Sequence, residues 1–377
     1  MHLEFTDEQR LLAESAQKFF TDSYDLPKRR ARMESADGFD RALWSEMAEL
    51  GWLALRVPER LDGLGAGPVE CAVMAQAAGR ALAVEPLIPS AVMGAAALDL
   101  GGSSDTELAG QLASGEAIFT LAHGEPRSRN SLTRVTTTAT KNGSSFTLSG
   151  EKAVVAFAGA ATHFVVTART AGSASEAAGI TVFLVPSGAE GVSVRTYPTV
   201  DGMRAGDVKF DNVSVGSDAV LGTVDDGHAL LQGIVDEGLV ALSAEAVGAM
   251  EYLHEATLEY ARTRKQFGRT LGSFQVIQHR LVDMFVLLEL ARSMTLIAAA
   301  GMQDSAPKER SRLASTAKAK AGEAIALVGE DAIQLHGGMG MTDELDVSHY
   351  FKRITMIDTT LGDTDFHLRR LAKGLLD

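Results

Sequence analysis

One cysteine, Cys71, is all that the 377-residue sequence contains. It excludes an intrachain disulfide and any zinc site built on cysteines, and a reducing cytoplasm is the expected home. Basic residues are outnumbered: 35 Lys and Arg face 49 Asp and Glu, and a net charge of -14 argues against a nucleic-acid surface as the main business of the protein. No run approaches the roughly 18 consecutive apolar residues of a membrane-spanning helix, because Arg, Glu or Gln interrupt the longest patterns. The nine histidines include no HxxxH pair with a supporting carboxylate, so no metal site is expected. The opening MHLEFTDEQRLL lacks a basic region followed by an apolar core, and is expected to begin the mature fold instead of a secretory leader.

What is present is an ordinary globular balance, 46% hydrophobic and 22% charged, in a chain long enough for two or three domains. Residues 1–116 read as helical. Thr6 and Gln9 match a capping box, and Leu11, Leu12, Ala16, Phe19 and Phe20 make one apolar face of a helix running to Ser23. A second helix is expected over Phe39 to Leu50, closed by Gly51. The run Gly63 to Gly67 lacks a preceding strand and the GxGxxG spacing, so it reads as a flexible link into a helix beginning at Pro68. Pro86 and Pro89 should stop that helix, with an Ala-rich one starting near Ser90.

Over residues 117–222 the period turns to alternation. Ile118–Leu121, Val135–Thr140, Phe146–Leu148, Phe164–Thr167, Ile180–Val185, Val192–Tyr197 and Val208–Val215 read as short strands, with Asn142-Gly143 at a tight hairpin. An antiparallel barrel or sandwich is expected as a middle domain. Residues 223–377 return to helical periodicity, as helices from about Gly227 to Arg262, Phe274 to Met302, Lys308 to Leu335 and Glu344 to Arg370, the last with a break at Gly362. Four long helices with short links imply an up-and-down bundle, and the fold class is α+β.

Between the first two bundle helices lies RTRKQFGRTLGSFQ, Arg262 to Gln275. Arg264, Lys265 and Arg269 supply positive charge, Phe267 a flat ring, and Gln266 and Gln275 amide donors and acceptors, a set suited to a phosphate-bearing aromatic cofactor. The same residues also read as a basic helix terminus offsetting the C-terminal dipole. After the third helix, Gln334-Leu335-His336-Gly337-Gly338-Met339-Gly340 gives a sharp turn where backbone can approach a ligand, or a helix cap with spare glycines.

The three-part order, with RTRKQFGRTLGSFQ after the first bundle helix and QLHGGMG after the third, resembles the acyl-CoA dehydrogenase family over essentially the whole chain. The opening FTDEQRLL is similar to that family's first helix. The closing HYFKRITMIDTTLGDTDFHLRRLA is similar to that of the pimeloyl-CoA dehydrogenase small subunit and related FadE-type subunits. The resemblance implies FAD as cofactor and an acyl-CoA substrate dehydrogenated to its 2-enoyl form, with electrons passed to an electron-transferring flavoprotein. It also implies a homotetramer, or a heterotetramer with a second such subunit. Arg264 would reach the pyrophosphate of a neighbouring subunit's FAD and Phe267 its adenine, and Gln275, Gln334, Gly337 and Gly338 would contact the adenosine side.

Two departures from the family pattern stand out. In place of the TEP...GSD signature the chain has Ala122-His123-Gly124-Glu125-Pro126-Arg127-Ser128-Arg129, and in place of Trp-Ile-Thr after Gly150-Glu151-Lys152 it has Val154-Val155-Ala156, which by itself reads as a buried strand. The base that takes the α-proton should be a carboxylate in an apolar pocket. Leu361 stands at one family position for it. Glu237 falls within one residue of the other and is the first candidate, although Asp236 and Glu237 also read as acidic residues near a helix N-terminus. Glu245 is the second candidate, or else a partner for an arginine. Asp363 and Asp365 are expected beside a solvated His367-Arg369-Arg370 face. Three readings remain: a competent dehydrogenase, a subunit completing another chain's FAD site, and a non-catalytic acyl-CoA-binding scaffold.

Overall fold

The computed structural model describes residues 5–376, so the first four residues of the opening motif lie outside the described residues. The first part of the chain contains α1 (Asp7–Ser23), α2 (Leu26–Glu34), α3 (Arg41–Glu49), α4 (Pro68–Arg80), a π-helical segment at Leu87–Gly94, α5 (Ala95–Leu100) and α6 (Thr106–Ala113). Strands β1 (Phe119–Ala122), β2 (Thr138–Asn142), β3 (Ser145–Ala156), β4 (His163–Arg169), β5 (Ile180–Pro186), β6 (Val192–Pro198), β7 (Arg204–Gly216) and β8 (Val220–Leu221) follow. The remainder is α7 (His228–Thr263), a hairpin of β9 (Lys265–Gln266) and β10 (Arg269–Thr270), α8 (Gln275–Met302), α9 (Pro307–His336), α10 (Asp346–Thr359) and α11 (Thr364–Leu376). Two compact units result. One holds the chain up to Arg30, Pro68–Ala83 and everything from Leu239 on; the other holds Ala31–Gly67 and Val84–Gly238.

In the first unit, α1 starts where its capping box dictates: the Gln9 amide donates to Thr6 Oγ1 at 3.2 Å and the Thr6 amide to Gln9 Oε1 at 3.0 Å. The remaining helices form the bundle. The expected break near Gly362 is real and separates α10 from α11, with Leu361 at φ 58° and Gly362 at φ 111°. Buried Lys318 on α9 holds this turn, its Nζ donating to the carbonyls of Asp358 at 2.8 Å and Gly362 at 2.7 Å. The Asp358 carbonyl ends α10 and the Gly362 carbonyl lies in the turn after it, so a buried cation is the group best suited to satisfy both. His367 departs from the solvated face expected for it. It is fully buried, its Nε2 donating to the Leu361 carbonyl at 3.2 Å while Nδ1 has no partner.

In the second unit, the sheet order is β6-β7-β3-β2-β4-β5-β8, with β1 pairing β4. Most neighbours are antiparallel, but β1 and β2 each pair β4 in parallel, so the sheet is mixed and not wholly antiparallel. Phe146, Phe164, Phe183 and Phe210 meet in its core, where alternate residues of successive strands face inward. The helical part of this unit differs locally from the sequence reading. Helix α2 was not expected, and α3 begins after Asp40, whose carboxylate accepts from the Ala42 amide. The Gly63–Gly67 run is a packed turn, not a loose link, since a Cβ at Gly63 would lie 2.2 Å from the Val57 carbonyl oxygen. Pro89 does not stop the chain's winding; it sits within the π-helical segment, close to its start, where a missing amide proton costs little.

Burial, then the Lys318 charge, hold His367 down to about 4 from its ordinary 6.5. Between those values the unfolded chain carries more protons than the folded one, so stability falls as pH drops from 6.5 to 4. The full window is worth on the order of 3 kcal/mol. Urea midpoints measured across it should decline, and His367→Leu should flatten the decline; an unchanged slope would show that this histidine titrates normally.

Candidate functional site

Helix α7 ends at Thr263, and the chain turns back through β9 and β10 with Arg269 opposite Gln266 and Thr270 opposite Lys265. Phe267 (φ 54°) and Gly268 (φ 79°) fill the two central positions, the left-handed pair that a two-residue hairpin needs. Glycine adopts this without cost, whereas phenylalanine pays about 1 kcal/mol for it. The Phe267 ring is nevertheless 90% exposed. Its recorded ring neighbour is Phe274, met edge-on at 6.2 Å, and the Arg269 guanidinium lies over the Phe274 ring at 3.9 Å.

The second motif comes to the same end of the bundle. Tyr260 near the end of α7 stacks on His336 at the end of α9 at 4.4 Å, so the residues just beyond each are brought together. Gly337 caps α9 at φ 61°, and a Cβ built on either Gly337 or Gly338 would meet no atom within 4 Å. Open backbone is therefore on offer there. Arg264, Gln266, Gln275 and Gln334 are exposed. Among the described residues, no side-chain hydrogen bond or ion pair occupies them. A free guanidinium, an exposed ring, free amides and uncovered glycine backbone fit a cofactor with phosphates and an aromatic base.

The strand that the resemblance places against a flavin is different. Val154 and Ala156 on β3 are both exposed, Val154 to 64%, while Val155 between them is buried. The buried-strand reading of this segment is thus corrected: a register shift between Lys152 and Val155, with Val154 at φ 55°, turns it outward. Neither exposed side chain has a donor or a ring. Behind β3, Glu125 is fixed by Lys152 Nζ at 2.7 Å and the amides of Thr136 at 2.7 Å and Thr137 at 3.0 Å. Burial works to raise its pKa, but Lys152 and these donors prevail and hold it down to about 2. Lys152 is itself lowered by burial to about 8 despite Glu125. This pair anchors the segment after β1 without presenting a group to a ligand.

Both candidate bases are engaged. Arg56 grips Glu237 with two bonds, Nε to Oε2 at 2.6 Å and Nη2 to Oε1 at 2.7 Å, and its Nη1 reaches Asp99 at 2.9 Å. Glu237 is 4% exposed. Arg353 holds Glu245 in the same way, at 2.6 and 2.7 Å, which makes Glu245 the arginine partner that its sequence context also allowed. Asp236 accepts from Gln232 at 2.7 Å. Leu361 supplies only an aliphatic side chain in the turn between α10 and α11. The partners Arg56 and Arg353 carried no signal in the sequence, because they lie 181 and 108 residues from the carboxylates they hold.

Three family models match the chain in succession: acyl-CoA dehydrogenase, N-terminal domain over residues 6–115, middle domain over 120–213 and C-terminal domain over 225–376. Benzylmalonyl-CoA dehydrogenase of Aromatoleum aromaticum is 30% identical over 95% of both chains. The solved ChsE4-ChsE5 complex from Mycobacterium tuberculosis superposes with a TM-score of 0.90 at 27% identity, over 100% of this chain and 99% of that one. A solved FAD-dependent dehydrogenase superposes at 0.87 with 28% identity, over 100% and 99%.

The Arg56 fork gives a stability test. Arg56→Met strands a buried carboxylate and should cost about 3–5 kcal/mol in chemical denaturation, while Arg56→Met with Glu237→Leu should recover much of that. A double variant as unstable as the single one would mean that the pair contributes through packing alone.

Proposed function

The chain belongs to the acyl-CoA dehydrogenase family of oxidoreductases, and we propose that it acts as one subunit of a hetero-oligomeric, FAD-dependent member. In this reading it presents the arm between α7 and α8 to a flavin bound mainly by a partner chain of the same fold. The observation that carries this reading is the unequal state of its two halves. Arg264, Gln266, Gln275 and Gln334 are exposed with unengaged side chains and the Phe267 ring is exposed, whereas the 154–156 segment of β3 turns only Val154 and Ala156 outward. The similarity to ChsE4-ChsE5, itself a complex of two chains, supports the same partner class.

Arg264 would bind pyrophosphate oxygens with its planar fork, Phe267 would pack on the adenine, and Gln275, Gln334, Gly337 and Gly338 would meet the polar edge of the adenosine. Bound FAD supplies the hydride acceptor for α,β-dehydrogenation of an acyl-CoA, and its electrons would pass on to an electron-transferring flavoprotein. A proton acceptor is also required. Glu237 is the proposed one if this chain turns over substrate in its own right, with Glu245 second, but either must first be released by its arginine. With both oxygens gripped by a guanidinium, neither carboxylate has an oxygen directed at a substrate. The proton acceptor is therefore assigned to the partner chain. No described helix is long and apolar enough to cross a membrane, and the buried Cys71, which is in no disulfide, fits a reducing cytoplasm.

Absorption spectra test the reading. The chain purified alone should be colourless, and the mixed assembly should be yellow and bleach with acyl-CoA; a yellow chain that bleaches alone would overturn it. In the mixed assembly Arg264→Ala should weaken FAD binding about 10- to 100-fold, the loss of charge-assisted bonds. Glu237→Gln should leave bleaching intact, and abolished bleaching with FAD still bound would return the role of base to Glu237.

A further inference from the structure

The arm carries three cations that the sequence does not tell apart, Arg264, Lys265 and Arg269. The structure separates two of them. Arg264 projects from the root of the hairpin with its guanidinium unengaged, while Arg269 lies over the face of Phe274 at 3.9 Å. Phe274 also receives the edge of Phe267 at 6.2 Å and an interplanar angle of 84°. The ring at the centre of this stack is fixed by backbone. Phe274 is the N-cap residue of α8, its amide donates to the Leu271 carbonyl at 3.0 Å, and its own carbonyl accepts from Ile277 at 3.0 Å and Gln278 at 3.1 Å.

A hairpin with two residues in each strand cannot hold itself together in water. This one also places a phenylalanine in left-handed backbone and exposes its ring, so something outside the strands must fix its shape. Ser273 Oγ donating to the Thr270 carbonyl at 2.6 Å and Gln278 Nε2 donating to the Gly272 carbonyl at 2.9 Å secure the return limb. The stack on Phe274 is the recorded side-chain tie to the turn itself. We infer that Arg269 and Phe274 are positioning residues, which set the direction of Phe267 and leave Arg264 as the cation that meets the ligand, before any ligand arrives. A cation over a ring and an edge-on aromatic contact each contribute modestly at an exposed site, enough together to shift the hairpin's closed population about five- to tenfold. Preorganisation of this kind enters affinity directly, because the cost of ordering the arm is met before binding. That the ligand is FAD rests on the subunit reading above; that the stack sets the arm's shape does not.

The test uses the full-length chain. Hydrogen exchange of the Leu271 amide, which donates to the Arg264 carbonyl at 2.9 Å and closes the hairpin, reports on the free protein. Phe274→Leu, which removes both contacts, should speed this exchange about five- to tenfold and Arg269→Gln, which removes one, about two- to fivefold, whereas Phe274→Trp and Arg269→Lys should retain protection. FAD affinity of the assembly with a partner chain, followed by flavin fluorescence, should fall by the corresponding factor in each of the first two variants and stay near wild type in the others. Weaker FAD binding by Arg269→Gln with unchanged exchange would overturn the inference, since Arg269 would then touch the ligand itself. Unchanged exchange in both disruptive variants would overturn it as well. Should the wild-type assembly take up no FAD, the subunit reading fails, while the exchange experiment still decides whether the stack shapes the arm.

Discussion

A buried carboxylate must be neutralised or paired, and on α7 pairing is the outcome twice. The Arg56 and Arg353 forks each engage both oxygens of a glutamate that is nearly sealed from solvent, and the geometry leaves neither one poised to accept a proton. Bidentate pairing of this kind is chosen for its fixed orientation as much as its energy. It anchors the start of α7 to the segment carrying Arg56, and it anchors the same helix further on to α10. One type of interaction thereby organises both compact units, and it also engages the two acidic groups that the sequence offers as candidate bases.

The remaining polar groups are arranged unevenly. At one end of the helical bundle, Tyr260 and His336 hold two chain reversals side by side, and beyond them the Arg264, Gln266 and Gln334 side chains are exposed and unengaged. In the sheet unit, the corresponding effort goes inward: Lys152 and the Thr136 and Thr137 amides hold Glu125, and the 154–156 segment of β3 shows solvent only aliphatic groups. Left-handed backbone displays the Phe267 ring at the first place, and at the second it turns the aliphatic Val154 outward. The buried Lys318 plays a comparable structural part, because the turn that carries Leu361 is closed by an ammonium group and not by a substrate-facing acid.

Much of the architecture could be read from local pattern. The capping box at Thr6 and Gln9, the Asn-Gly hairpin, the change of period near residue 117 and the break at Gly362 are all interactions between residues close in sequence, so their chemistry is legible without a fold. Failures occurred where packing overrode local preference. Val154 looks like a core strand residue by composition, yet a bulge turns it outward. Pro89 looks like a stop, yet the early part of a π-helical segment accommodates it. His367 looks solvated between Asp363 and two arginines, yet α11 rotates it inward under Leu361.

The sequence by itself determined the three-part order of helices, strands and helices, the family, and the composition of the arm between α7 and α8, because these follow from periodicity and from residues adjacent in the chain. Only the tertiary structure decided what the charged residues do. Whether Glu237 is a base or half of an ion pair depends on a guanidinium 181 residues away. Which of the arm's arginines is free depends on where one aromatic ring lies. Long-range pairing of polar groups leaves no periodic trace, so it becomes visible only when the chain has closed around it.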